Sequence, residues 1–327
     1  MSRIVLGVGT SHTPMLNAAA QDWGRFIERD ALRPHFDKKG RPVTYEELLA
    51  LAPPGMDREL TPEVFADRQG RALFRVEQLG SVIRDAKLDT LIVVGDDQKE
   101  LYDDANMPAV LLFRGKTIRN MPLTGHPGPA WARAVTERYY EKEVPREYPV
   151  DETLANHLIA SLIEDEFDVS CADHLAEGHG EGHAFAFVHN RLLAGSEIPF
   201  VPVFLNTYYP PNQPTPRRCH RLGQAIRRAV ERDGRDLRVG VLASGGLSHF
   251  TVDEHFDAQV MQALRAKDAE AFAALPRELL QSGNSEIRNW ICMAGATDHL
   301  TLKAMDYIPA YRTAAGTGTG LCFAYWS

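Results

Sequence analysis

A chain of 327 residues with 44% hydrophobic and 24% charged residues is long enough to bury a sizeable core, and its composition excludes disordered, collagenous and coiled-coil classes. The net charge of -8, with basic residues scattered along the chain, argues against a nucleic-acid footprint. Cys171, Cys219, Cys292 and Cys322 form no C-x-x-C pair and read as reduced core residues. No apolar leader and no run of about 18 apolar residues occurs, so no membrane partner is implied and the cytoplasm is the expected compartment.

In chain order, the apolar run at 4-9 predicts a strand, followed by an excursion at 20-60 rich in charge and proline. Helical spacing then predicts a helix over 61-87, with strands at 91-95 and 109-113 and a further helix over 153-167. A strand at 198-206 leads into the proline-dense stretch 208-216, a helix over 215-233, a strand at 237-245 and helical spacing over 285-305. Near-continuous apolar strands alternating with amphipathic helices define an α/β protein. The expected architecture is one large domain over 1-327, its central sheet mostly parallel or mixed and flanked by helices. The 20-60 excursion is read as an inserted lid.

Open α/β sheets bind ligands at the carboxyl ends of their strands, so the polar residues following the apolar runs are the first to inspect. T-S-H-T carries His12; G-D-D-Q carries Asp96, Asp97 and Gln98; N-T-Y-Y carries Asn206, Tyr208 and Tyr209; G-G-L-S-H carries Ser248 and His249. Each has an ordinary reading. A strand-end histidine more often caps a turn than binds a ligand, and Glu286 opens a helix, where the dipole alone favours a carboxylate. Ser248 beside His249 on an extended chain faces the opposite way, and no G-x-S-x-G elbow supports a serine hydrolase. His179 and His183 share a glycine-rich loop, E-G-H-G-E-G-H.

Taken in order, G-V-G-T-S-H-T-P at 7-14, P-V-F-L-N-T-Y-Y-P-P at 202-211, S-G-G-L-S-H at 244-249, S-E-I-R-N-W at 285-290 and Y-I-P-A-Y at 307-311 resemble the class III extradiol ring-cleavage dioxygenases. The likeness is to the catalytic subunit of protocatechuate 4,5-dioxygenase and to its gallate and 3-O-methylgallate relatives. It implies a non-haem Fe(II) enzyme that opens a catechol-type aromatic acid with O2. It makes His12 and Glu286 metal ligands, His249 the acid/base histidine, and His183 a catalytic histidine approaching from the loop, with His179 as the fallback. A homodimer is the expected assembly.

The departure lies at the second histidine ligand, where this chain carries Gln98. His12, Gln98 and Glu286 keep the charge and open positions of a two-histidine, one-carboxylate site but with a weaker donor. Asp97, Asp96, His35 and His126 are the alternatives for this position. For the substrate's carboxylate, Asn206, Tyr208 and Arg288 are the candidate anchors, with Tyr209 and Arg312 beside them. The competing functions are a binding protein on the same fold that lost its oxygenase chemistry with that histidine, and a zinc-dependent hydrolase using the same ligands.

Overall fold

The computed structural model describes residues 1-123 and 129-327; His126 lies outside the described residues. Nine strands form one sheet: β1 Arg3–Thr10, β2 Thr90–Asp96, β3 Val110–Phe113, β4 Ser170–Ala172, β5 Phe200–Leu205, β6 Arg238–Ser244, β7 His249–Thr251, β8 Leu302–Tyr311 and β9 Thr317–Trp326. Their order is β7-β9-β1-β6-β2-β5-β3-β4, with β8 paired to β9. β1, β6, β2 and β5 run parallel, whereas β9 is antiparallel to β1 and β3 is antiparallel to β5. The sheet is therefore mixed, with a parallel centre.

The centre is parallel because its strands are apolar on both faces. Leu91 and Val93 of β2 enter one core layer, and Ile92 and Val94 enter the other. Helix α1, Pro62–Asp85, covers the first layer through Val76, Leu79 and Ile83. Helices α2 (Glu152–Glu164), α3 (Pro216–Arg232) and α5 (Ile287–Ala296) cover the second through Leu158, Ile226 and Trp290, and α4 is Glu254–Ala266. Thr61 and Thr215 cap α1 and α3 from the residue before a proline, which fixes where both helices start.

Two sequence readings change. The helical spacing over 285-305 covers a helix only to Ala296; Thr297 closes it, its hydroxyl donating to the Met293 carbonyl, and from Leu302 the chain is strand β8. Pairing of β9 with β8 on one side and β1 on the other decides this, and no local pattern within 297-305 signals it. Cys171 lies exposed on the edge strand β4, while the other three cysteines are buried as expected. No described helix is long and apolar enough to cross a membrane.

The 20-60 excursion is built of short turns, a two-stranded ladder pairing His35–Phe36 with Pro42–Val43, and a helix over Tyr45–Leu51 whose start is a Thr44–Glu47 capping box. It is tied down by Asp30. That buried carboxylate takes two bonds from Arg312 at 2.7 Å each and one from Thr317 at 2.6 Å, where β8 turns into β9.

Candidate metal centre

Because β1, β2, β5 and β6 run parallel, their carboxyl ends deliver His12, Gln98, Asn206 and Gly245 to one edge of the sheet. His12 follows β1 and is buried. The Ser244 hydroxyl donates to the Ala184 carbonyl at 2.7 Å, so its oxygen is free to accept the Nδ1 proton of His12 at 2.9 Å. That fixes the tautomer. Nε2 of His12 is then a bare lone pair, buried without a hydrogen-bond partner and 3.7 Å from Glu286 Oε2. Burial holds the ring down to about 3, against the pull of Glu286, so it is neutral at physiological pH.

Glu286 sits where the turn 282-286 enters α5 and is buried. Its Oε2 accepts the Gly246 amide at 2.8 Å, and its Oε1 accepts the Tyr208 hydroxyl at 3.1 Å. Burial disfavours its charge, but His249 and His12 outweigh that and the carboxylate stays ionised. His249 gives Nδ1 to the Leu247 carbonyl at 2.9 Å and Nε2 to Glu286 Oε1 at 3.1 Å. Both partners only accept, so this ring carries two protons; its pKa is raised, Glu286 overcoming the opposing effect of burial. A Cβ at Gly283 would stand 2.1 Å from Cδ2 of His249, so the glycine of G-N-S-E makes room for the ring. Ser248 is engaged elsewhere, its hydroxyl donating to Asp257 at 2.6 Å.

The donor atoms of His12, Asp96, His183 and Glu286 all lie within 4.8 Å of one another. Gln98 stands among them, its amide nitrogen 3.2 Å from Asp96 Oδ2, 3.4 Å from His183 Nε2 and 3.3 Å from Glu286 Oε1. Asp96 is buried; burial first, and Glu286 second, raise its pKa. Asp97 faces away and accepts the amides of Glu100, Leu101 and Tyr102, which makes it the cap of the turn after β2. His35 contacts the Asp30 carbonyl at 2.7 Å and is outside the cluster.

His183 opens a short helix, and Glu100 meets it twice: Oε2 is 2.6 Å from Nδ1, and Oε1 accepts the His183 backbone amide at 3.0 Å. Burial would lower the ring's pKa, but Glu100 lifts it to about 10, and His183 in turn holds Glu100 near 2 against burial. His179 is exposed, with Nδ1 against its own loop's Glu177 carbonyl.

A cavity of about 550 Å³ opens over the cluster, lined by His12, Gln98, His183, His249 and Glu286 and also by Arg29, Arg33 and Arg312. Arg312 is neutralised by Asp30. Arg29 and Arg33 have no ion-pair partner among the described residues, Nε of Arg29 and Nη1 of Arg33 are buried without a hydrogen-bond partner, and residues 124-128 contain no acid. Burial, then the neighbouring Arg312, lowers both pKa values, that of Arg29 to about 9, so Arg29 remains charged at neutral pH. The Arg33 guanidinium lies 3.6 Å over the Phe250 ring.

Of the sequence-derived anchors, Tyr208 reaches Glu286, but Arg288 and Asn206 point elsewhere. Arg288 is buried and donates to the carbonyls of Pro214, Thr207, Leu280 and Ser285; Asn206 bonds Tyr209 and Asn212. Both hold the proline-dense loop rather than line the cavity. Sequence reasoning missed Glu100, Ser244, Arg29 and Arg33. Glu100 carries a faint signal, a carboxylate two residues beyond Gln98, and the arginines carry only their i,i+4 spacing in the excursion.

A bare buried imidazole facing an ionised buried carboxylate, with two more ligand-type side chains at hand, is a donor set suited to a divalent first-row metal. Residues 69-321 match the model of the catalytic LigB subunit of aromatic ring-opening dioxygenase, and the chain belongs to that family. It is also similar to a gallate dioxygenase of Pseudomonas putida (strain KT2440), with 32% identity over 155 residues covering 43% of this chain and 44% of the relative. The match thus spans less than half of that relative's length.

Proposed function

We propose that this protein is a non-haem, Fe(II)-dependent extradiol dioxygenase that opens the ring of a catechol bearing an acidic substituent, using O2. The observation that carries this reading is the bare, buried Nε2 of His12 facing the Glu286 carboxylate at 3.7 Å beneath the cavity. His12 and Glu286 would hold the ion with one donor from the group around Gln98. When bound, the ion supplies the Lewis acidity that acidifies the two adjacent hydroxyls of a catechol and couples the ring to O2.

The protein's own part is positioning and proton handling. Arg29 and Arg33 reach the cavity with charge that no described residue neutralises, and a carboxylate on the substrate would satisfy their free donors. Holding the acid there would orient the diol toward His12 and Glu286, which line the same cavity. His249 lines the same cavity beside Glu286 and exchanges protons with the substrate hydroxyl; an imidazole held by a carbonyl at Nδ1 presents Nε2 for that purpose. The excursion that carries Arg29 and Arg33 acts as the lid. The cavity has ample room for a single-ring acid.

An oxygen electrode tests this reading. Anaerobically purified protein given Fe(II) should take up one O2 per molecule of a gallate-type or protocatechuate-type acid and give a yellow ring-opened product. Absence of uptake with every catechol, in protein shown to hold iron, refutes it. The second reading, a binding protein without oxygenase chemistry, is favoured by the Gln98 amide nitrogen lying amid the donors, and it predicts substrate binding without oxygen uptake.

A further inference from the structure

We propose that the second imidazole of the metal site is His183, pre-set by Glu100, and that Gln98 is not a ligand. The inference rests on the reading of the cluster as a metal site and concerns which side chains complete it. Its first support is tautomeric. Nδ1 of His183 lies 2.6 Å from Glu100 Oε2, so the carboxylate keeps the Nδ1 proton and Nε2 is the nitrogen left to bind an ion, which displaces the proton there. Nε2 of His183 consequently faces the cluster, as Nε2 of His12 does, and the two rings stand perpendicular with centroids 4.7 Å apart.

The second support is how firmly Glu100 is built in. One of its oxygens also accepts the His183 amide at 3.0 Å and the Tyr140 hydroxyl at 2.8 Å, so ring and backbone of His183 are fixed by one carboxylate. Gly182 makes the approach possible, since a Cβ there would stand 2.7 Å from Glu100 Oε2. A carboxylate gripping the far nitrogen of an imidazole is the arrangement that orients metal-bound histidines and strengthens them as donors.

The third support is what the competitors are doing. Gln98 directs its amide nitrogen toward the carboxyl oxygens of Asp96 and Glu286, as a donor to acceptors that a cation would otherwise hold. Asp96 is held between two amides, Gln98 at 3.2 Å and Asn289 at 3.4 Å, and would add a second anion to the site. With the Nε2 proton of His183 displaced by the ion, His12, His183 and Glu286 together give two neutral imidazoles and one carboxylate, the set suited to Fe(II) with positions left open. In this arrangement Gln98 withdraws when the ion enters, and His249 is the histidine left to carry protons to and from substrate.

The test counts imidazoles on the bound ion and measures how tightly it is held. Anaerobic holoprotein loaded with Fe(II) and nitric oxide is examined by electron spin echo modulation, which resolves coordinated imidazole nitrogens, and Fe(II) affinity is measured against a chromogenic chelator. Two coordinated imidazoles are expected in the unaltered protein and in Q98A, and one in H183A. H183A should lose affinity by more than E100Q, for which a loss of about 10-100-fold is expected; Q98A and D96N should stay within a few-fold. One imidazole in the unaltered protein, or loss of the ion in Q98A or D96N with retention in H183A, overturns the proposal while leaving the metal site standing. Failure of the unaltered protein to bind any divalent metal overturns both this proposal and the function. The imidazole count in the unaltered protein does not depend on any variant folding.

Discussion

Ser244 and His12 are joined by a directed hydrogen bond: the serine proton goes to the Ala184 carbonyl, so Nδ1 of His12 must donate to the serine oxygen and Nε2 is left bare toward Glu286. Ser244 ends the central strand β6 and His12 follows β1, so two neighbouring parallel strands set the orientation of a single nitrogen. Ser244→Ala frees the ring to flip or change tautomer. Fe(II) affinity should fall by about 10-100-fold with the melting temperature little changed, measured by chelator competition and thermal unfolding. Unchanged affinity removes Ser244 from the account.

In the proposed function His249, which lies beside Glu286 and outside the donor cluster, is the proton carrier. His249→Ala should bind metal and substrate within a few-fold of the parent and lower turnover by about 10²-10⁴-fold, in steady-state oxygen uptake with parallel binding titrations. An equal loss of substrate binding and turnover counts against the acid/base role.

The free charge of Arg29 and Arg33 predicts selectivity. Arg33→Gln should weaken an aromatic acid by about 1.5-3 kcal/mol, visible mainly as a rise in KM, because a charge-assisted contact is lost. Plain catechol, lacking the acid, should bind the variant and the parent alike. A similar loss for both substrates would mean that the variant perturbs the cavity as a whole.

Asp30 gives the pH dependence of stability. Burial pushes its pKa up, but Arg312 and Thr317 pull harder, so it lies below the ordinary 3.8. A depressed carboxylate stabilises the fold above its unfolded value and loses that contribution as pH falls through its folded value. Asp30→Asn leaves Arg312 buried without its partner, and should cost about 3-5 kcal/mol at neutral pH and much less in strong acid. Denaturant melts at both pH values check it; an equal cost at both would contradict the linkage.

The parallel centre of the sheet was legible because strands buried on both faces leave continuous apolar runs, and the strand-end residues His12, Gln98 and His249 lie where those runs stop. Glu286 was legible through its motif. Other features were hidden by distance along the chain. Glu100 meets His183 across 83 residues and Asp30 meets Arg312 across 282, so neither the histidine's buttress nor the docking of the arginine-bearing excursion has a local signature. Arg288 misled for a related reason: a cation at the start of a helix near the site looks like an anchor, yet four nearby carbonyls claim it. The helical spacing over 285-305 runs into the first residues of β8, whose conformation is decided by its pairing partner β9 and not by any local pattern.

The most direct test of the central claim is single-turnover reaction of the Fe(II)-loaded protein with a catechol acid under ¹⁸O2, followed by mass spectrometry of the product. The account expects an acyclic product equal in mass to the substrate plus both atoms of one O2, with the ring opened beside the diol. An intact ring, a product carrying a single new oxygen, or unreacted catechol recovered from iron-loaded protein would contradict it.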